Sequence, residues 1–336
     1  MESDEQPPRE ETHAHGTPCD TQIDERAIAE HKHRGRFFWL DLHAPSEEQL
    51  RRLGEIFGFH PLALEDAANL GQRPKLDDYE EYAFLVFYGV HQTRGGGLHQ
   101  APGAGIELSE IHMFVSGEYL ITLHHEPVAG LDELRAKLRG REVRSEQFLV
   151  YSVLDVITDT FFPVLAGVDD EIDEIEDAVL ADPSEKQLQR LFALKRDLVA
   201  VRRVVTPQRD MLARSMDRIS ELPGLQHDAR DYMRDLYDHL IRISDLVDSY
   251  RDLLSGVTDM YLSTVANRQG EVAKQLTIIA TIFLPLTFIT GFFGQNFSFL
   301  VNHVMNTTLS FVALGTGSLI VSCIVFLVYF RRRGWL

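Results

Sequence analysis

The run Asp169-Asp170-Glu171-Ile172-Asp173-Glu174-Ile175-Glu176-Asp177 is nearly all carboxylate, a composition that could gather cations. The apolar positions Ile172, Ile175 and Val179 recur at helical spacing, so the solvated face of an amphipathic helix explains the run without a ligand. Thr277, Thr281, Thr287, Thr290 and Gly291 are small or hydroxyl-bearing positions within an otherwise apolar stretch. They could line a polar path, or their hydroxyls could bond back to the carbonyls of their own helix. The stretch ends on a polar break, Gly294-Gln295-Asn296, with two uncharged amides. His13, His15 and Cys19 are metal-ligand types, but they stand in a polar, proline-containing tail where disorder is the simpler expectation. There is no Walker A loop, no dinucleotide glycine motif, no His-Glu-x-x-His helix and no nucleophile elbow, so an enzyme is not expected.

The elements around these residues divide into two materials. The 336 residues carry a formal net charge of -18, yet no Asp, Glu, Lys or Arg occurs from Leu276 to Phe330. The negative charge excludes a nucleic-acid partner, which needs clustered Lys and Arg, and suits a chain that meets cations. Cys19 and Cys323 differ too much in environment to suggest a disulfide. Residues 1–32 read as a disordered acidic tail with no signal peptide. Residues 33–145 read as an α/β domain with a largely antiparallel sheet. Its strands are Phe37–Leu42, Tyr82–Tyr88, Glu110–Val115 and Tyr119–His124, its helices begin at Ser46 and His60, and a glycine-rich connection spans 95–105. Residues 146–275 read as helical. One helix is expected over Phe148–Leu180 and one from Ser184 to about Ile219, stopped by Pro223-Gly224. A stalk then starts at Asp228 and continues into the apolar stretch.

Residues 276–294 and 307–330 are each long enough to cross a hydrocarbon core of about 30 Å, and the short connection 295–306 makes them a hairpin. Pro285 is tolerable in a spanning helix. The basic end Arg331-Arg332-Arg333, with Lys274 and Arg268 before the first span, predicts both termini on the cytoplasmic side of the cell (inner) membrane and the turn outside. One hairpin cannot enclose a pore, so a channel requires several copies about an axis.

LTIIATIFLPLTFITGFFGQNF, the second span and the ending RRRGWL closely resemble the CorA family of magnesium transporters, whose signature here is Gly-Met-Asn. LEDAANLGQRPK (Leu64–Lys75) and MRDLYDHLIRISD (Met233–Asp245) extend the resemblance across most of the chain. It implies a funnel-shaped homopentamer with an α+β cytoplasmic domain, a long stalk helix and two transmembrane helices, the first lining the pore. Gly294, Gln295 and Asn296 take the signature positions, where amide oxygens could hydrogen-bond the water of a hydrated Mg2+ that sheds its shell reluctantly. By the same resemblance Thr287 is a polar step, Leu284 and Leu276 are hydrophobic constrictions, Asp259 is an acidic ring, and Gly270, Ala273, Thr277 and Gly291 line the path. Asp66 and Asp235, with Glu65 and Asp155 nearby, are the implied ligands of a cytoplasmic Mg2+ that closes the pore.

Three departures bear on the ion. Gln295 replaces methionine, Gly270 and Ala273 replace a pore-facing asparagine and a gating methionine, and Phe297–Asn306 contains no carboxylate. His303, as an imidazole, suits a transition metal. The expected cargo is Mg2+, with Co2+ or Ni2+ as surrogates. A zinc transporter of the ZntB branch is the alternative, and a non-transporting membrane sensor the second.

Overall fold

The structure is a computed structural model that describes residues 19–91, 105–138, 146–221, 229–295, 298–304 and 307–335. His13, His15, most of the glycine-rich connection, Pro223-Gly224 and Asn296 lie outside the described residues. Two compact units are present, Met1–Thr258 and Asp259–Leu336.

The first unit is built on a six-stranded sheet. Its strands are β1 (Cys19–Asp20), β2 (Phe38–His43), β3 (Lys75–Tyr79), β4 (Tyr82–His91), β5 (Glu107–Val115) and β6 (Tyr119–His124), in the order β1-β2-β6-β5-β4-β3. β3 to β6 pair antiparallel, whereas β1, β2 and β6 run parallel. The parallel part explains why β6 is buried at every position and β2 at all but its last. Strands covered on both faces read as continuous apolar runs.

Within this apolar patch one polar network converges on the buried Asp41. Trp39 Nε1 donates to Thr122 Oγ1 at 2.9 Å, and Thr122 Oγ1 donates to Asp41 Oδ1 at 2.5 Å. His124 Nδ1 faces the Glu126 carbonyl at 2.7 Å while its Nε2 lies 3.2 Å from Asp41 Oδ1. Arg135 approaches the other Asp41 oxygen at 3.3 Å. Acceptors on both sides of the ring favour the doubly protonated imidazolium. Burial opposes that charge most strongly, yet the Asp41 hydrogen bond and charge outweigh it, and the His124 pKa is raised. A raised folded pKa gives stability that is complete below the unfolded value near 6.5 and is lost as pH rises through the folded value. The unfolding midpoint of the whole protein should therefore fall across that window. Asp41→Asn should lower the midpoint and flatten this part of the profile, as read by thermal denaturation against pH.

Helices α1 (Glu25–His33), α2 (Glu47–Phe57), α3 (Pro61–Ala68), α4 (Leu131–Leu138), α5 (Glu146–Asp159), α6 (Phe161–Ala181), α7 (Glu185–Glu221) and α8 (Ala229–Phe293) complete the main elements. α2 starts on a capping box, in which the Ser46 hydroxyl accepts from the Gln49 amide and the Gln49 side chain accepts from the Ser46 amide. Two expectations are corrected. The tail does not run unstructured to residue 32, because Asp24 caps α1 through the amides of Arg26 and Ala27, and Ile28 is buried. The helix expected over Phe148–Leu180 is broken at Thr160. Pro163 has no N–H to give the Asp159 carbonyl, and Thr160 Oγ1 instead accepts from the Val90 amide of β4 and donates to the Ile157 carbonyl. The acidic run lies on α6 with Ile172, Ile175 and Val179 buried, and Arg190 of α7 pairs with Glu171 and Glu174.

Among the described residues, three helical stretches are long and apolar enough to cross a membrane: Gln147–Ala181, which takes in α5 and α6, Arg230–Phe293 and Thr308–Arg332. Most of the apolar stretch of the first (61%) is buried inside the protein, against 6% and 0% in the other two. Leu276, Leu284, Phe288 and Leu309 are each more than two-thirds exposed. Such a continuous apolar surface is not left to water in a soluble chain. In the second unit, π-helical turns occur at Leu300–Val304 and Phe311–Thr316, and regular α-helix follows over Gly317–Arg332.

Candidate functional site

Two regions contain the residues singled out in the sequence. In the second unit α8 carries Asp259, Gly270, Ala273, Leu276, Thr277, Leu284, Thr287 and Gly291 without a break, and all are exposed. Six of them follow at spacings of three, four or seven, from Gly270 through Ala273, Thr277, Leu284 and Thr287 to Gly291. That spacing keeps them on one stripe of a helix, and Asp259, eleven residues before Gly270, falls on the same stripe.

Three of the threonine hydroxyls singled out on α8 bond back to their own helix. Thr277 donates to the Ala273 carbonyl at 2.8 Å, Thr287 to Phe283 at 2.9 Å and Thr290 to Leu286 at 3.0 Å. The two sequence readings are thereby compatible. A hydroxyl whose proton is spent on its own helix still presents oxygen lone pairs outward, and lone pairs are what a cation or its first-shell water requires. At the helix end the Gly294 amide donates to the Thr290 carbonyl at 2.9 Å and the Gln295 amide to Phe292 at 3.3 Å. A Cβ on Gly294 would lie 3.0 Å from the Thr290 oxygen, so the bare backbone permits this tight close.

In the first unit the four acidic candidates fall in two places. Asp66 on α3 pairs with Lys75, and the carbonyl of Glu65 accepts from the Asn69 side chain. Asp155 on α5 and Asp235 on α8 lie together: the Tyr151 hydroxyl donates to Asp235 Oδ2 at 2.6 Å, and the Asp235 charge acts on Asp155. Among the described residues no hydrogen bond or ion pair joins Asp66 or Glu65 to Asp155 or Asp235.

The second place gains two residues that the sequence reading did not name. Asp155, Asp159 and His239 each offer a ligand atom, all within 4.8 Å of one another. His239 Nδ1 stands 3.2 Å from Asp155 Oδ1 and 3.8 Å from Asp159 Oδ1. Ligand atoms sharing one small divalent ion are separated by about 3 Å, so His239 and Asp155 already stand near that spacing while the rest of the group must draw in from separations of up to 4.8 Å. Asp155 Oδ1 and His239 Nδ1 are buried with no hydrogen bond. Burial first, then the neighbouring Asp159 charge, raises the Asp155 pKa; burial and the Asp235 charge raise that of Asp159. Burial and the Asp235 hydrogen bond likewise push the Tyr151 phenol up. Crowded carboxylates of this kind gain from a cation. The available signal was the four-residue step, Asp155 to Asp159 and Asp235 to His239, which puts each pair on one helix face.

A mixed sheet with packed helices, a long helix ending in exposed apolar surface, and a carboxylate–imidazole cluster define a membrane protein with sites suited to divalent cations. The chain belongs to the family described as CorA-like Mg2+ transporter protein, which matches residues 34–332. It is 36% identical over 292 residues to the cobalt/magnesium transport protein CorA of Thermotoga maritima, covering 85% of this chain and 80% of that one. The complete structure of the CorA magnesium transporter from Methanocaldococcus jannaschii superposes with a TM-score of 0.74 at 24% identity, covering 89% of this chain and 91% of that one. The ZntB cytoplasmic domain from Vibrio parahaemolyticus gives 0.56 at 14% identity over 69% of this chain and 88% of that one, a likeness of fold alone.

Proposed function

We infer that this protein carries Mg2+ and Co2+ across the cell membrane as a homopentamer. The apolar part of α8 lines the path, and Thr308–Arg332 forms the second span. The observation that carries this reading is the family match from residue 34 to 332, which takes in both exposed apolar helices. The hydroxyl and small residues on one stripe of α8 supply its chemistry: five copies of that stripe would present lone pairs and leucine constrictions in successive rings. Leucine rings close such a path by excluding water, and the Asp259 ring concentrates cations at its cytoplasmic mouth. Gly294, Gln295 and Asn296 form the outer ring, with Asn296 holding the hydrated ion. The 36%-identical relative is named for cobalt and magnesium, which favours these ions over zinc. The pentamer is tested by the mass of the purified protein in mild detergent. Five chains are expected, and a monomer or dimer would remove the pore.

Feedback by cytoplasmic metal completes the reading. Asp155, Asp159 and His239 hold a divalent ion beside Asp235, while Asp66 and Glu65 would meet acidic residues of a neighbouring copy. Such an ion closes the pore by binding the closed arrangement more tightly than the open one. An imidazole among the ligands makes Co2+ or Ni2+ a stronger inhibitor than Mg2+.

A further inference from the structure

Lys75 occupies one of the two carboxylate oxygens of Asp66. Its Nζ lies 2.7 Å from Asp66 Oδ2 and 2.5 Å from Asp77 Oδ2, and 5.6 Å from the centroid of the Phe84 ring. Lys75 and Asp77 are two residues apart on β3 and so share one face of that edge strand. Asp66 comes from α3. One ammonium is thus divided between two carboxylates, only one of which belongs to the candidate metal residues. The side chains of Asp66, Lys75 and Asp77 are 28%, 30% and 39% exposed, so water and dissolved ions reach them.

We propose that Lys75 is a built-in competitor for the cation at Asp66, and that Asp77 is the partner it retreats to when the cation binds. The proposal rests on reading Asp66 as a ligand of the regulatory ion. A divalent ion approaching Asp66 is repelled by the ammonium and finds one carboxylate oxygen already occupied by its N–H. It can bind once Lys75 swings wholly to Asp77. Because Asp77 is already within 2.5 Å, the released ammonium keeps a counter-charge and its stem stays beside Phe84. The cytoplasmic metal concentration at which Asp66 fills is then set by the balance between the two pairings. Partly exposed ion pairs are individually weak, so this balance tunes the response several-fold without deciding whether it exists.

Two substitutions move the response in opposite directions, which a merely structural ion pair would not do. Lys75→Met removes the competitor and keeps an apolar stem over Phe84. It should lower the Mg2+ concentration for half-maximal effect about three- to tenfold, since the repulsion of a divalent ion by a nearby unit charge is removed. Asp77→Asn removes the retreat and leaves Lys75 on Asp66; the same concentration should rise about two- to fivefold. Asp66→Asn is the reference, expected to weaken the response roughly tenfold or more, within the range of typical coupling energies. The readout is the Mg2+ titration of the thermal unfolding midpoint of the full-length protein in detergent, repeated as Mg2+ inhibition of flux in liposomes. An unchanged titration in Asp66→Asn overturns the reading of Asp66 itself. A normal loss in Asp66→Asn, with Lys75→Met and Asp77→Asn shifting the same way or not at all, overturns the competitor and leaves Asp66 standing.

Discussion

Replacing Asn296 by Ala should reduce Mg2+ uptake at least roughly tenfold while leaving the oligomer mass and thermal midpoint unchanged. In the proposed pentamer the substitution removes five amide oxygens at once from the ring that meets the hydrated ion. A single hydrogen bond to water contributes about 1 kcal/mol net, and 1.4 kcal/mol is a factor of ten, so even two lost contacts exceed that factor. Gln295→Met, by contrast, changes the neighbouring side chain and keeps Asn296. It should retain uptake and is the control for damage to the turn. Stopped-flow measurement with a Mg2+-sensitive dye inside liposomes reads both. Uptake by Asn296→Ala equal to that of the parent would remove the outer ring from the account.

Asp235→Ala should raise the cytoplasmic Mg2+ concentration for half-inhibition about tenfold or more, an ordinary magnitude for coupling between a regulatory ion and a gate. The charge, not the hydrogen bond from Tyr151, is held responsible. Tyr151→Phe deletes that bond and leaves the carboxylate, so it should inhibit almost normally. His239→Ala should act selectively: Co2+ and Ni2+ lose their advantage over Mg2+, because imidazole is the ligand that prefers them. Currents recorded with the metal applied to the cytoplasmic face check all three. If Asp235→Ala closed at the parent's metal concentration, the regulatory assignment would be wrong.

Most of the sheet was legible because its strands are dense in aromatic and branched residues, as in YAFLVFY of β4 and YLITLH of β6. β3 was not, because KLDDY has three charges in five residues. It is an edge strand, where charge prevents pairing with another chain, and the same charges put Lys75 and Asp77 beside Asp66. α1 was missed for a related reason: it buries Ile28 and little else, so no apolar period announces it. The helix break at Thr160 depends on the Val90 amide seventy residues away, a contact no local pattern contains. The exposed apolar helices were plain from an uncharged stretch of more than fifty residues. The residues proposed for regulation were half legible. Asp155 and Asp235 came from the family resemblance, whereas Asp159 and His239 needed α5 and α8 to be laid side by side. In the sequence all four are ordinary surface charges.

The proposed passage of Mg2+ and Co2+ through a path lined by α8 needs no component beyond this chain and the membrane. It is tested most directly by reconstituting the purified protein in liposomes and comparing influx of Mg2+, Co2+ and Zn2+ at several fixed pH values. Rapid Mg2+ and Co2+ entry, little Zn2+ entry and no requirement for a proton gradient are the expected result. Zn2+ entry that depends on a proton gradient, or no entry of any of the three ions, would contradict it.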